Sequence, residues 1–343
     1  MDKILEIKGL KTYFSTDGAT IPAVDGVDLS VEKGKTLGIV GESGCGKSVT
    51  SLSAMRLVKC PPGKIVGGEI LLDGKDLLKL SDKEMRAVRG KEISMIFQEP
   101  MTSLNPCYTI GNQLVEVLRV HSDISKKEAR KKALSMLYEV SISRPEEIMK
   151  AYPYELSGGM RQRVMIAMAM LCKPKVLIAD EPTTALDVTI QIQILLLMKK
   201  MQKETDTAIM FITHDLGVIA EIADQVAVMY AGKVVEEASC LEIFNNPLHP
   251  YTIGLHNSTP KIGETEARLH TIHGAVPNLA NKIQGCAFKS RCKDARKSVG
   301  KKHRKLKKSV KDIKSAVGNT VKNGINENYG KKGLKCRSNR INM

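Results

Sequence analysis

The chain has 343 residues, of which 42% are hydrophobic and 26% charged, and its formal net charge is +16. This composition permits a sizeable buried core and excludes a collagen, a small disulfide scaffold and a chain disordered throughout. No apolar run approaches the roughly 18–20 residues of a membrane span, and the first residues lack a signal-peptide pattern. We expect a chain that is by itself soluble and cytoplasmic, with cysteines that are thiols or metal ligands rather than disulfides.

The positive charge is concentrated at the C-terminal end. Residues 295–343 hold 16 Lys and Arg against 2 Asp and Glu, so about +14 of the net charge lies in this tail. Only about +2 remains for residues 1–294. The charge therefore does not predict a nucleic-acid-binding face on the folded body.

Two kinds of strand pattern occur along the chain. Residues 4–7 and 27–31 alternate apolar and polar side chains, which predicts half-buried antiparallel strands. Continuous apolar runs predict buried parallel strands at residues 36–40, 175–179 and 208–212. Helical patterns separate these runs, for instance over residues 188–201. The alternation predicts an α/β fold with a mainly parallel core sheet and an antiparallel β-subdomain.

The pattern changes in two segments. Between about residues 81 and 156 we predict a helical insertion between two strands, in which capping-box spacing from Ser125 to Glu128 opens a helix that continues through Val140. Beyond residue 246 the alternation of helices and strands stops. Four prolines predict an irregular segment there: Pro247, Pro250, Pro260 and Pro277.

A glycine-rich turn follows the first buried strand. Residues 41–48, Gly-Glu-Ser-Gly-Cys-Gly-Lys-Ser, fit the phosphate-loop pattern G-x-x-x-x-G-K-[ST] between a strand and a helix. Backbone N–H groups of such a loop converge on phosphate oxygens at a helix N-terminus. We expect Lys47 to reach the β- and γ-phosphates of ATP and Ser48 to ligate Mg²⁺. The predicted nucleotide-binding residues are Gly41, Glu42, Ser43, Gly44, Cys45, Gly46, Lys47, Ser48 and Val49.

Two acidic residues, Asp180 and Glu181, end the second buried strand. A carboxylate at this position can enter the coordination shell of the metal, and the next one can polarise an attacking water. Adjacent acids at a strand end could equally be a solvated terminus, but their pairing with the phosphate loop favours the catalytic interpretation. We predict Asp180 as a Mg²⁺ ligand and Glu181 as the catalytic base.

Residues 154–163, Tyr-Glu-Leu-Ser-Gly-Gly-Met-Arg-Gln-Arg, resemble the signature motif of ATP-binding-cassette (ABC) ATPases. Gln98 after a predicted strand, residues 185–187 and His214 after a buried strand resemble the Q-loop, D-loop and switch histidine of that family. Six motifs in family order cover residues 1 to about 245. The resemblance implies a P-loop NTPase of the ABC cassette type, with a short C-terminal extension.

The resemblance also implies a composite site formed by two cassettes stacked head to tail. The γ-phosphate bound by one cassette would contact the partner's signature residues, which here are Ser157, Gly158 and Gly159. Glu181 would act as the base and His214 would sense the γ-phosphate, with Gln98 at the metal and Asp187 in the D-loop. Phe14 resembles the aromatic residue that stacks on adenine, and Tyr13 is the alternative. ATP and Mg²⁺ are the implied ligands.

Five stretches and Met160 resemble the oligopeptide and dipeptide permease branch of the family. The stretches are residues 99–106, 246–252, 258–260, 272–279 and 285–292. This branch implies an ABC nucleotide-binding domain over 1–245, with its helical subdomain at about 81–156. An oligopeptide-permease-type C-terminal region over 246–293 and a basic tail over 294–343 complete the predicted domains.

The branch also implies partners and a location. It implies an importer subunit that lies peripherally on the cytoplasmic side of the cell membrane. Its partners would be a second ABC ATPase subunit, identical or different, two integral membrane permease subunits and an extracytoplasmic solute-binding protein; no nucleic acid is expected. Nickel importers share these features and remain an alternative. A different class, the soluble ABC proteins that act on ribosomes or nucleic acid, also remains an alternative. Proteins of that class usually carry two cassettes or a long coiled-coil insertion.

Members of this branch carry four C-terminal cysteines thought to hold an iron–sulfur cluster. Cys286 and Cys292 match the first two and are candidate remnant ligands, but position 299 is Val and no fourth cysteine follows at suitable spacing. The lysine-rich tail from about residue 295 resembles no part of the family, and we expect it to be disordered. A natural basic tail could bind anionic lipid or nucleic acid. We prefer to interpret this tail as the product of a single-base deletion near codon 294, which resequencing of codons 290–326 tests.

Overall fold

The structure is a computed structural model, and it describes residues 2–16, 18–98, 103–184, 186–258, 271–281, 283–293 and 295. The strands in these residues are β1 (Lys3–Thr16), β2 (Ala19–Glu32), β3 (Thr36–Val40), β4 (Gly63–Leu72), β5 (Lys75–Asp76), β6 (Ile93–Ile96), β7 (Val176–Asp180), β8 (Ala208–Thr213), β9 (Gln225–Tyr230) and β10 (Lys233–Ser239). The α-helices are α1 (Lys47–Ala54), α2 (Asp82–Val88), α3 (Ile110–His121), α4 (Lys126–Glu139), α5 (Pro145–Ile148), α6 (Gly158–Met170), α7 (Val188–Thr205), α8 (Leu216–Ile222), α9 (Cys240–Asn245) and α10 (Pro250–Asn257). Short 3₁₀ turns lie at Leu77–Lys79 and Pro153–Glu155.

A six-stranded sheet in the order β10-β9-β3-β8-β7-β6 forms the centre of the molecule. Its strands pair in parallel, except for β10, which is antiparallel to β9. Every residue of β3, β7 and β8 is buried, because the sheet is covered on both faces. The three predicted buried parallel strands are therefore confirmed.

A second, four-stranded antiparallel sheet has the order β2-β1-β4-β5. It contains the two predicted half-buried strands, which lie within β1 and β2 and pair antiparallel, as expected. Side chains of this sheet, of α1 and of α2 form one core cluster with one face of the six-stranded sheet. The helices α3, α4, α6, α7 and α8 contribute to a second cluster, to which the other face of that sheet also belongs.

The helical insertion lies between β6 and β7. The predicted capping box is present, since the Ser125 hydroxyl accepts from the Glu128 N–H and the Glu128 carboxylate accepts from the Ser125 N–H. The predicted start at residue 81 is too early, because β6 falls inside the range 81–156 and pairs with β7 in the central sheet. The insertion is formed by α3, α4, α5 and the second 3₁₀ turn.

The segment after residue 246 is less irregular than the prolines predict. Pro250 occupies the first position of α10, where the missing N–H of proline costs nothing and its fixed φ favours a helix. The prediction of an irregular segment is thus wrong for α10, whereas residues 271–281 and 283–293 contain no helix or strand. Of the helices in the described ranges, none has the length and apolar character to span a bilayer.

Candidate nucleotide-binding site

The phosphate loop connects the end of β3 to the start of α1, as the sequence predicts. Two of its glycines lie too close to backbone for any side chain. A Cβ on Gly41 would stand 2.2 Å from the Met229 carbonyl oxygen, and one on Gly46 would stand 2.4 Å from that of Ala23. Gly46 also has a φ of +101°, a conformation that L side chains rarely adopt. The loop therefore keeps the narrow backbone turn that a phosphate cradle requires.

The side chain of Lys47 is buried and turned into the loop. Its ammonium donates to the carbonyl oxygens of Gly41 at 2.8 Å and Glu42 at 3.1 Å. Cys45 and Val49 instead direct their side chains into the core, so they can offer only backbone groups to a ligand. Burial raises the pKa of the Cys45 thiol. The cation at the centre of the loop is thus Lys47.

Oxygen donors converge where α1 meets the end of β7. The Ser48 hydroxyl donates to Asp180 Oδ1 at 3.1 Å, and the Ser51 hydroxyl donates to Asp180 Oδ2 at 3.2 Å. Burial raises the pKa of the Asp180 carboxyl, against the lowering effect of these two hydrogen bonds. A carboxylate and a hydroxyl fit the coordination chemistry of Mg²⁺, which prefers oxygen ligands and keeps several waters. Ser51 was not predicted, although it lies three residues after Ser48 and therefore on the same helix face.

The Glu181 carboxylate is the centre of a second cluster. Its Oε2 atom accepts from the Gln98 amide at 3.3 Å and from the Thr184 hydroxyl at 3.0 Å, and it lies 3.3 Å from His214 Nδ1. The side chain of Glu181 is 12% exposed and that of His214 is 60% exposed. The structure thus brings together the three predicted catalytic residues, which come from the ends of β6, β7 and β8. Thr184 is an additional partner that the sequence reasoning missed.

The predicted signature residues lie at the start of α6. The Ser157 hydroxyl accepts from the Met160 N–H at 3.3 Å and so caps this helix. Gly158 is exposed, and a Cβ on Gly159 would stand 3.0 Å from the Ile190 side chain in α7. Asp187 caps α7 by accepting from the Ile190 N–H at 2.9 Å. Signature and D-loop residues therefore meet at two adjacent helix N-termini, which favour anions.

The two candidate adenine-stacking residues have different environments. The Tyr13 hydroxyl donates to Asp25 Oδ1 at 2.9 Å, and the pKa of Tyr13 is raised by burial and by this carboxylate. Phe14 makes no such polar contact with its ring, is half-buried and borders Gly63 at the start of β4. Phe14 stays the predicted residue.

The candidate cluster ligands Cys286 and Cys292 are half-buried and pack against the core. A cubane or rhombic iron–sulfur cluster takes four protein ligands, usually four thiolates. Within the described ranges, no group of three or more His, Cys, Asp and Glu side chains is arranged to hold a metal ion. These residues therefore do not fit an iron–sulfur cluster.

Some predictions concern residues outside the described ranges. These are Ala185 of the D-loop, residues 99–102 after the Q-loop glutamine, residues 259–260, and nearly all of the basic tail with its frameshift interpretation.

Comparison with known proteins gives the family of the chain. Residues 24–184 match the family model described as ABC transporter, and residues 235–298 match that of the oligopeptide/dipeptide transporter C-terminal region. The oligopeptide transport ATP-binding protein AppD of Bacillus subtilis is 56% identical over 295 residues, 86% of this chain and 90% of that protein. The dipeptide transport ATP-binding protein DppD of the same organism is 55% identical over 85% of this chain and 87% of that protein. The chain belongs to the ATP-binding proteins of oligopeptide and dipeptide ABC transporters.

Solved structures agree with this family. The ATP-binding cassette MJ0796, a dimer in a post-hydrolysis state bound to ADP and Pi, is 28% identical with a TM-score of 0.61. That match covers 69% of this chain and 98% of that chain. The protein cbiO1 from Clostridium perfringens, part of the ABC transporter complex cbiONQ, is 29% identical with a TM-score of 0.60, over 72% of this chain and 92% of that chain. The predicted family and the predicted cassette fold are both confirmed.

Proposed function

We propose that this ABC ATPase is the ATP-hydrolysing subunit of an importer for dipeptides or oligopeptides. The observation that carries the proposal is the position of the Glu181 carboxylate. It follows Asp180 at the end of β7, and Asp180 bonds the phosphate-loop hydroxyl of Ser48. The proposed base thus directly follows a residue that contacts the loop proposed to bind the triphosphate and its metal.

Each residue of the site has a distinct proposed role in hydrolysis. Lys47 and the loop N–H groups bind the β- and γ-phosphates, and Ser48, Asp180 and Gln98 are the proposed Mg²⁺ ligands. The metal, when bound, neutralises charge that develops on the phosphate oxygens. Glu181 orients the attacking water and accepts its proton, while His214 contacts the γ-phosphate. Because Oε2 of Glu181 already contacts Gln98 and His214, movement of either side chain would change the position of the base.

The complete site is proposed to need a second cassette. Ser157, Gly158 and Gly159 lie at an exposed helix N-terminus, and its N–H groups would contact the γ-phosphate bound by the partner cassette. Asp187 lies beside them at the start of α7. ATP would then hold the two cassettes together, and hydrolysis would release them. This cycle supplies a hinge motion that attached membrane subunits can use.

The proposed assembly places the chain peripherally on the cytoplasmic face of the cell membrane, bound to two permease subunits. An extracytoplasmic solute-binding protein would deliver the peptide, and the second cassette is either a copy of this chain or a related ATPase. The relatives support this assembly because they are named for oligopeptide or dipeptide transport. They do not favour the nickel alternative, nor the soluble protein acting on nucleic acid.

An uptake experiment tests the proposed cargo. The gene is deleted in its native strain and restored with the parent chain or with Glu181→Gln. We expect uptake of a labelled tripeptide to be lost on deletion and restored only by the parent, while uptake of radioactive nickel stays constant. Loss of nickel uptake with normal peptide uptake would contradict the proposal.

Purification of the chain from membranes tests the proposed assembly. We expect the chain to be recovered with two multi-span proteins, and recovery with ribosomes or DNA would contradict the proposal.

A further inference from the structure

The C-terminal segment, defined here as residues 246–258, 271–281 and 283–293, contacts the phosphate loop through Arg291. The guanidinium forms two parallel bonds with the Glu42 carboxylate, from Nη1 to Oε2 at 2.6 Å and from Nη2 to Oε1 at 3.0 Å. These two residues are 249 positions apart in the chain. Glu42 is the second residue of the phosphate loop, so this ion pair ties the C-terminal segment to the loop that would bind ATP.

Arg291 is itself fixed by its surroundings. Its side chain is 5% exposed, and its remaining N–H groups donate to carbonyl oxygens of residues 272 and 273 and to the Tyr230 hydroxyl. The pKa of Arg291 is raised, chiefly by its hydrogen bond to Glu42. Five hydrogen bonds thus use the five donors of a planar guanidinium, and a lysine ammonium has neither that number nor that geometry.

Tyr251 of α10 holds the same loop residue by its backbone. The Glu42 N–H donates to the Tyr251 hydroxyl at 2.8 Å. The ring of Tyr251 is fully buried and packs against Tyr230 and Phe288, with ring centroids 4.6 and 5.4 Å away. Residue 42 is therefore held at its carboxylate and at its N–H by two parts of the C-terminal segment.

The turn that precedes α10 is anchored to the central sheet. The Glu236 carboxylate of β10 is buried and accepts from the N–H groups of Leu248 and His249 at 2.8 and 2.9 Å. Tyr251 follows this turn directly, so its hydroxyl has a fixed position relative to β3 and the loop. The turn at Leu248 and His249 thus anchors Tyr251, and with it the Glu42 N–H, to the central sheet.

The third polar group of Glu42, its carbonyl oxygen, links this support to Lys47. The Glu42 carbonyl oxygen accepts from Lys47 Nζ at 3.1 Å. We propose that Arg291 and Tyr251 are positioning residues, which hold the first turn of the phosphate loop in the shape in which Lys47 and the loop N–H groups bind the triphosphate. The inference rests on the proposed function, since it assumes that ATP binds at this loop.

Removal of the guanidinium would leave the Glu42 carboxylate, whose side chain is 28% exposed, without its partner. An uncompensated, partly buried charge is unfavourable, so the loop would rearrange to hydrate it. We therefore expect the loss to appear in nucleotide affinity more than in the rate at saturating ATP, because neither Arg291 nor Tyr251 is placed to touch the reacting atoms.

The test is equilibrium binding of MgATP to the purified full-length chain, together with its melting temperature. Arg291→Ala is expected to raise the Kd about tenfold, and Arg291→Lys should recover little of this loss because it lacks the planar fork. Tyr251→Phe keeps the buried ring, removes one hydrogen bond and should raise the Kd about threefold to tenfold. Lys289→Ala is the matched control, because Lys289 is an exposed cation in the same segment that bonds Gln284.

A double-mutant cycle separates positioning from general destabilisation. Glu42→Gln combined with Arg291→Ala should bind MgATP no worse than the weaker-binding single variant, since both remove the same contact. At a temperature well below every melting point, Kd values of Arg291→Ala and Tyr251→Phe equal to that of the parent would overturn the inference, as would fully additive effects in the cycle. If the parent itself does not bind MgATP, the proposed function fails and this inference fails with it.

Discussion

The proposed catalytic cluster of Gln98, Glu181 and His214 and the C-terminal segment that contacts the phosphate loop are held together in different ways. In the cluster, Gln98, Glu181 and His214 each follow one of three adjacent parallel strands, so the central sheet brings them together. In the C-terminal segment, Arg291 reaches Glu42 from a stretch without helix or strand. The proposed catalytic groups thus depend on the central sheet, whereas the support of the loop depends on the region that matches the oligopeptide/dipeptide transporter model.

Glu181→Gln should have the largest effect, which we expect on the ATPase rate and not on the support of the phosphate loop by the C-terminal segment. The amide keeps the size of the side chain but cannot accept a proton from water, so we expect the ATPase rate to fall about 100-fold or more with nucleotide binding retained. Phosphate release by the assembled transporter is the measurement. Glu116→Gln, an exposed acid on α3, is the control. Parental turnover by Glu181→Gln would refute the role of the base.

Gly158→Asp should have the next largest effect, and it tests whether the N-terminus of α6 faces the partner cassette. The nearest atom to a Cβ at Gly158 is 4.0 Å away, and an acidic residue in a first helical turn is favourable, so the chain should fold normally. Its carboxylate would repel the γ-phosphate on the facing cassette. We expect turnover to fall about tenfold or more, with unchanged MgATP affinity of the single chain.

Gly158→Ala adds a methyl group without charge and should lose less activity than Gly158→Asp. Equal turnover by the parent and the aspartate variant would show that this helix end does not face a bound triphosphate.

A smaller effect concerns stability of the C-terminal segment at low pH. Burial lowers the pKa of His249 from 6.5 to about 4, and its Nδ1 accepts from the Tyr251 N–H. Since the unfolded chain binds this proton more readily, stability is full above about pH 6.5 and falls as the pH drops toward 4. The loss for this group should be about 2 kcal/mol between pH 7.5 and 5.0.

Urea unfolding of the parent and of His249→Asn at both pH values measures this effect. Asparagine keeps a side-chain acceptor at the helix cap and does not titrate, so carboxylates and other groups contribute equally to both proteins. We expect the stability of the parent to fall more steeply with decreasing pH. Identical falls in the two proteins would show that His249 is not buried in its neutral form.

The sequence predicts the two regions to different extents. Buried strands are continuous apolar runs, and the sheet brings the ends of its strands together, so the sequence predicts Lys47, Asp180 and Glu181 as neighbours in one site. Thr184 was missed because a single hydroxyl carries no pattern, whereas the spacing of Ser51 from Ser48 on one helix face was overlooked. The helix α10 was missed because Pro250 was interpreted as a break rather than as a first helical residue. Arg291 and Glu42 are 249 positions apart in the chain, and no sequence pattern predicts a contact between residues so far apart.

Magnesium-dependent binding of ATP by the purified chain tests the central claim most directly. The account predicts saturable MgATP binding by the parent and a Kd at least about tenfold higher for Lys47→Ala, which removes the buried ammonium of the loop. Lys83→Ala, an exposed lysine on α2, should bind as the parent does. A parent chain without magnesium-dependent ATP affinity, or a Lys47→Ala variant that binds as tightly as the parent, would contradict the account.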